Sequence, residues 1–121
     1  MKKVLYIEDD RMLYDLIHEI IGPIAEIDYS PDMKTTREHI KSNTYDFIIA
    51  DVELPDGNSL DFFAELKEKE ISVPPIIFLS GHESVENKIK CYKVGGKDYL
   101  VKPADPKALA ARVELLIKTG N

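Results

Sequence analysis

At 121 residues the chain has the length of one domain, enough to bury a core without disulfides or a structural metal. Its 44% apolar and 31% charged residues fit a globular protein, no apolar run approaches the roughly 20 residues that span a bilayer, and the acids from Glu8 onward do not fit a signal peptide. A lone cysteine, Cys91, excludes an intrachain disulfide and suits a cytoplasmic location, while a net charge of -6 argues against nucleic acid as a direct partner.

Lys3 to Ile7 reads as a first strand. Met12, Leu13, Leu16, Ile17, Ile20 and Ile21 then recur at helical spacing until Gly22-Pro23, with Met12, Leu13, Leu16 and Ile17 expected in the core. Ile24 to Tyr29 alternates as an edge strand does. Ser30-Pro31 reads as an N-cap followed by proline, opening a second helix that runs to about Ser42. Phe47 to Ala50 is a continuous apolar run, expected of a strand covered on both faces. After a turn at Asp56-Gly57, Leu60, Phe63 and Leu66 place a third helix. Ile76 to Leu79 is a fourth strand. Ser84 caps a fourth helix carrying Val85, Ile89 and Tyr92, which Gly95-Gly96 ends. Tyr99 to Val101 is the fifth strand, and Asp105-Pro106 opens a last helix with Leu109, Val113, Leu116 and Ile117 on one face. Five successive strand-helix units predict one α/β domain over residues 1–121, with a parallel sheet and helices on both faces.

The reactive side chains fall at carboxyl ends of those strands. Glu8 and Asp9 follow the first, Asp51 ends the third, Ser80 ends the fourth and Lys102 follows the fifth. In a parallel sheet these ends share one edge, where open α/β sheets bind ligands. Two unit charges 4 Å apart interact by roughly 4 kcal/mol at an effective dielectric near 20. Three carboxylates therefore call for a cation, and Mg2+ fits because it accepts few carboxylates and keeps water or phosphate oxygens. With Lys102 and Ser80 added, the site suits a dianionic phosphoryl group and a carboxylate nucleophile.

Ile7-Glu8-Asp9-Asp10, Asp51 to Gly57, Leu79-Ser80-Gly81 and Asp98 to Pro103 resemble, in order, the signatures of the response-regulator receiver domain of two-component signalling. The resemblance covers essentially the whole chain. It implies a doubly wound, flavodoxin-like sheet of strand order 2-1-3-4-5 with five helices. It also implies that Asp51 accepts a phosphoryl group from a sensor histidine kinase or histidine phosphotransfer protein. By the same resemblance Asp9, Asp51 and the backbone carbonyl of Glu53 bind Mg2+ directly, and Glu8 acts largely through water. Lys102 and the Ser80 hydroxyl contact the phosphoryl group, helped by the backbone amides of Val52 and Gly81. Tyr99 occupies the aromatic switch position, Glu53 and His82 the two positions that tune phosphoryl lifetime, and the Lys102-Pro103 bond is often cis in relatives. Such a protein is a phosphorylation-dependent switch, not an enzyme beyond its own phosphorylation and dephosphorylation. The resemblance further implies that its fourth helix, fifth strand and fifth helix form the responsive surface and a possible homodimer contact. Asp98 and Arg112 match charged positions used there, whereas Ala108 stands where many relatives have an acid. Ser59 and Gly95-Gly96 also depart from the family pattern, which has glycine and glycine-alanine there.

Taken singly, these features have plainer readings. Glu8-Asp9-Asp10 alone is more often a solvated turn, Lys102-Pro103 a turn, Ser80 a strand-end hydroxyl and Tyr99 strand packing. Cys91 reads as a small buried residue, and His18 and His39 as helix-surface residues without metal-ligand spacing. Three other functions remain to be weighed: a receiver-like interaction module that is never phosphorylated, a small phosphatase using Asp51 with Glu53 as acid/base, and a flavin binder. The chain lacks the hydroxyl- and glycine-rich loop that a flavin phosphate needs after the first strand, and offers acids instead.

Overall fold

The computed structural model describes residues 1–102 and 105–119. Strand β1 (Lys2–Ile7) leads into helix α1 (Arg11–Ile21), then β2 (Ala25–Ser30), α2 (Met33–Ser42) and β3 (Phe47–Asp51). A two-residue antiparallel pair, β4 (Glu53–Leu54) and β5 (Gly57–Asn58), precedes α3 (Ser59–Glu68). The chain continues through β6 (Ile76–Ser80), α4 (Val85–Lys93), β7 (Gly96–Val101) and α5 (Pro106–Thr119). The main sheet has the order β2-β1-β3-β6-β7, and every pairing in it is parallel. Counting only its five strands, this is the expected 2-1-3-4-5 order.

Strand alternation divides the core in two. Leu5, Ile7, Ile48, Ala50, Ile76 and Phe78 pack with Met33, Phe62, Phe63 and Cys91 of α2, α3 and α4. Val4, Tyr6, Phe47, Ile49, Ile77 and Leu79 face the other way, onto Ile17 and Ile21 of α1 and Leu109, Val113 and Ile117 of α5. Both faces of β3 and β6 are covered, which is why these strands are continuous apolar runs.

Four local expectations need correction. Helix α2 is capped by Asp32, whose carboxylate accepts from Thr35 N at 2.7 Å. Ser30 instead ends β2 opposite Ile7 and turns its buried hydroxyl to Asp32 O and Thr36 Oγ1. On α1 the buried residues are Tyr14, Ile17 and Ile21, while Met12 is 75% and Leu16 45% exposed. The apolar arc of this helix is wider than the face the sheet covers, and the buried face runs through Tyr14, whose ring lies edge-on to Tyr6 with centroids 5.3 Å apart. His39 is half-buried, with a ring nitrogen 3.2 Å from Tyr29 O. The fifth long strand begins at Gly96, three residues before Tyr99: Gly95 takes the turn at φ +89, and Gly96 follows directly in strand geometry. A Cβ on Gly96 would lie 2.6 Å from Cys91 Sγ, so the close approach of α4 to β7 requires glycine there. Cys91 is buried as expected, and burial pushes its thiol up to about 11. The expectation about the Lys102-Pro103 bond lies outside the described residues.

The β4–β5 pair is anchored at its tip. Asp56 accepts from Met33 N at 2.8 Å and from Lys34 N at 3.1 Å, satisfying two free amides at the start of α2. The segment that follows Asp51 is thereby fixed against a neighbouring helix. Among the described residues no helix is long and apolar enough to cross a membrane.

Candidate functional site

The strand register brings the expected side chains to one edge of the sheet. Ile7 pairs with Ala50, Asp51 with Leu79, and Ser80 with Val101, so Glu8, Asp51, Ser80 and Lys102 lie at one level. Strand order reverses between β1 and β3, which places the crevice between Glu8 and Asp51. One carboxylate oxygen from each of Glu8, Asp9 and Asp51 lies within 4.8 Å of the others.

Burial of these groups is unequal. Glu8 is 0% and Asp51 4% exposed, whereas Asp9 is exposed at the rim. The Lys102 ammonium sits between the buried pair, 3.0 Å from Asp51 Oδ2 and 3.1 Å from Glu8 Oε2. Glu8 Oε1 is 2.9 Å from the same nitrogen but receives no well-directed hydrogen bond among the described residues. The backbone around Glu8 is firmly held: its amide donates to Ser30 O at 2.9 Å, and Tyr29 Oη donates to its carbonyl at 2.6 Å. Asp10 is turned away from the pocket, capping α1 by accepting from Leu13 N at 3.1 Å.

Two carboxyls and one ammonium leave a deficit of positive charge. Burial, then repulsion from Glu8, pushes the Asp51 carboxyl up to about 8, against the opposing pull of Lys102. Burial would lower Lys102, but its hydrogen bonds and attraction to Glu8 and Asp51 leave it above its ordinary value. Tyr6 lies beneath the site with its hydroxyl buried and without a hydrogen-bond partner among the described residues, and burial followed by the charges of Glu8 and Asp51 raises its phenol. A buried carboxylate oxygen that meets an ammonium but takes no well-directed hydrogen bond among the described residues, next to two further oxygen ligands, fits a small hard divalent cation.

The remaining expected residues form a second tier. Ser80 Oγ donates to Glu53 Oε1 at 3.0 Å and accepts from His82 N at 3.1 Å. Tyr99 is buried, its hydroxyl donating to His82 O at 2.8 Å and accepting from Asn87 Nδ2 at 3.3 Å. Gly81 and His82 are exposed just past β6. The Val52 amide donates to Leu79 O at 2.7 Å, because the β3–β6 ladder continues one residue past Asp51. Arg112 and Asp98 pair with each other within the chain.

Two side-chain contacts were missed by sequence reasoning. Ser59 is buried and its hydroxyl donates to Asp51 O at 2.6 Å, while its amide donates to Val52 O at 2.9 Å. This residue thus fixes the backbone of the central acid, and its only signal was a hydroxyl where the family pattern has glycine. The contact of Glu53 with Ser80 left no mark beyond the two residues' separate positions.

The Response regulator receiver domain model matches residues 4–114. The chain belongs to the response-regulator receiver family. As a receiver it is 30% identical over 121 residues to the transcriptional regulatory protein CiaR of Streptococcus pneumoniae, covering 100% of this chain and 54% of CiaR. It is likewise 30% identical to BasR of Escherichia coli, over 98% of this chain and 54% of that protein. The receiver thus spans about half the length of the curated relatives it matches. Among solved structures, the receiver domain of Francisella response regulator 1452 is 31% identical, covers both chains fully and superposes with a TM-score of 0.84. The acidic pocket of Glu8, Asp9 and Asp51 is consistent with a receiver's phospho-aspartate site and is typical of its magnesium site. Membership in two-component signalling also implies a cognate histidine kinase.

Proposed function

We propose that this receiver is a phosphorylation switch in which Asp51 takes a phosphoryl group from a phosphohistidine on a histidine kinase or phosphotransfer protein. The observation that carries this reading is a nearly buried carboxyl held 3.0 Å from the Lys102 ammonium and packed against a second buried carboxyl. A carboxylate oxygen of Asp51 attacks phosphorus, the P–N bond breaks, and its electron pair returns to the imidazole nitrogen. Hydrolysis reverses the state: water attacks phosphorus, the P–O bond to Asp51 breaks, and inorganic phosphate leaves. No separate substrate is turned over.

Asp9, Asp51 and the Glu53 carbonyl would hold Mg2+, with Glu8 acting largely through water. Bound magnesium supplies positive charge against the carboxylates and the phosphoryl oxygens. Lys102 moves its hydrogen bond from Asp51 to the incoming group, and the Ser80 hydroxyl and Gly81 amide close onto it. The Val52 amide joins them once its bond to Leu79 O opens. Glu53 and His82 flank the path of an attacking water and set the lifetime of the phosphoryl group. Departure of the Ser80 hydroxyl toward the phosphoryl group pulls on the His82 amide, to whose residue Tyr99 is tied by the carbonyl. That linkage biases the surface of α4, β7 and α5 by population shift.

The exposed Val85, Ile89 and Tyr92 of α4 and Leu115 of α5 support that surface as the contact of a phosphorylation-dependent homodimer. The names of the relatives, transcriptional regulatory proteins, support a transcriptional output without this domain itself touching nucleic acid.

Fluorine NMR with beryllofluoride, a phosphoryl mimic, tests the site. Bound-fluoride signals are expected with Mg2+ and absent with EDTA or in Asp51→Asn. Absence of binding to the wild-type protein with Mg2+ would support an interaction module that is not phosphorylated.

A further inference from the structure

The phosphoacceptor reading gives Ser80 one partner, the phosphoryl group, but its hydroxyl already has another. Ser80 Oγ carries a single proton, which it donates to Glu53 Oε1 across an O···O distance of 3.0 Å. Carboxylate and phosphoryl oxygens are both charged acceptors, which make stronger hydrogen bonds than neutral ones, so the two compete for one donor. Glu53 is not on a loose loop. It belongs to β4, paired with β5 through Glu53 and Asn58, and the hairpin is clamped to α2 by the two bonds of Asp56.

The same hydroxyl also receives the His82 amide at 3.1 Å, and the His82 carbonyl receives Tyr99 Oη at 2.8 Å. Tyr99 is therefore already buried while Ser80 still faces Glu53. The step left for the phosphoryl group is to draw the hydroxyl off Glu53.

We propose that the Glu53 side chain is a resting-state latch on Ser80, a positioning residue that raises the threshold for phosphoryl capture. This inference rests on the phosphoacceptor reading and assigns Glu53 an effect on entry into the phosphorylated state, separate from the lifetime of that state.

Beryllofluoride affinity in the presence of Mg2+, measured across a double-mutant cycle, tests the latch. Glu53→Ala is expected to tighten binding about two- to twelvefold, the range a net hydrogen bond supplies. In a Ser80→Ala background the same substitution is expected to change nothing, because the latch has no partner. Glu53→Gln removes the charge but keeps an acceptor, and is expected to fall between. In the resting protein without beryllofluoride, Glu53→Ala should shift the His82 amide resonance only when Ser80 is present. An equal gain in both backgrounds would assign the effect to charge repulsion, and no gain at all would remove the latch. Wild-type protein that binds no beryllofluoride overturns the phosphoacceptor reading and the latch's role together. That outcome is distinct from failure of the latch alone, in which wild type and Glu53→Ala bind equally.

Discussion

Without divalent metal, the protein is expected to lose stability as pH rises from about 5 to 8, and Asp51→Asn is expected to remove that slope. Burial and the neighbouring Glu8 push the folded-state carboxyl of Asp51 up to about 8, whereas an unfolded Asp titrates near 3.9. Between those values the folded state holds a proton that the unfolded state has lost. Stability therefore falls with rising pH, by at most about 1.4 kcal/mol per pH unit from this group. Below the unfolded value both states are protonated and the group contributes nothing; above about 8 the full penalty is present. Capping carboxylates act elsewhere on the scale: Asp32, lowered by its bond from Thr35, withdraws its contribution only as pH falls through its depressed folded value. Urea denaturation in EDTA at several pH values, for both proteins, reads the difference directly. Asp51→Asn should be the more stable protein at pH 8. Magnesium should close that gap, because it binds the folded wild-type site, and its affinity should rise with pH as Asp51 sheds its proton. Parallel wild-type and Asp51→Asn profiles would show that the acid sits in the folded protein without strain.

The second large effect is expected from Lys102→Met. The substitution keeps an apolar stem of similar length but leaves two carboxyls, 0% and 4% exposed, without the ammonium that lies 3.0 Å or closer to each of them. Removing one member of a buried ion pair costs about 3 to 5 kcal/mol, because the remaining charge stays desolvated. The loss should be greatest at pH 8 in EDTA, smaller at pH 5 where a proton replaces the ammonium, and partly restored by Mg2+. Phosphorylation should suffer separately. A preorganised cation aimed at developing phosphoryl charge is worth roughly 100-fold or more in rate. Magnesium should rescue stability better than it rescues rate. A variant as stable as wild type at pH 8 and phosphorylated at the same rate would show that Lys102 is a surface lysine turned inward.

Much of this architecture was legible in the sequence, for identifiable reasons. The runs Phe47 to Ala50 and Ile76 to Leu79 are apolar on both faces because α2, α3 and α4 cover one side and α1 and α5 the other. Glycine and capping serine mark the ends of α4 where the chain turns. The pocket was legible because Glu8, Asp51, Ser80 and Lys102 each fall at the end of a strand, and parallel pairing must gather strand ends. The strand order itself came from family resemblance, since hydrophobic pattern does not say which strands are neighbours. On α1 the pattern misled: six apolar residues share an arc wider than the sheet can cover, and the buried face runs through Tyr14, Ile17 and Ile21, leaving Met12 and Leu16 exposed. Ser59 on the Asp51 carbonyl and Glu53 on the Ser80 hydroxyl could not be read at all. Such bonds follow from the path of the β4–β5 hairpin, a two-residue pairing with no periodicity to detect.

Intact-protein mass spectrometry after incubation with Mg2+ and a small-molecule phosphodonor tests the role of Asp51 most directly. One added phosphoryl group is expected on the wild-type chain, with none in EDTA and none on Asp51→Asn. A phosphoryl group that persists on Asp51→Asn, or a wild-type chain that takes up neither phosphoryl nor beryllofluoride, would contradict the assignment of Asp51 as the acceptor.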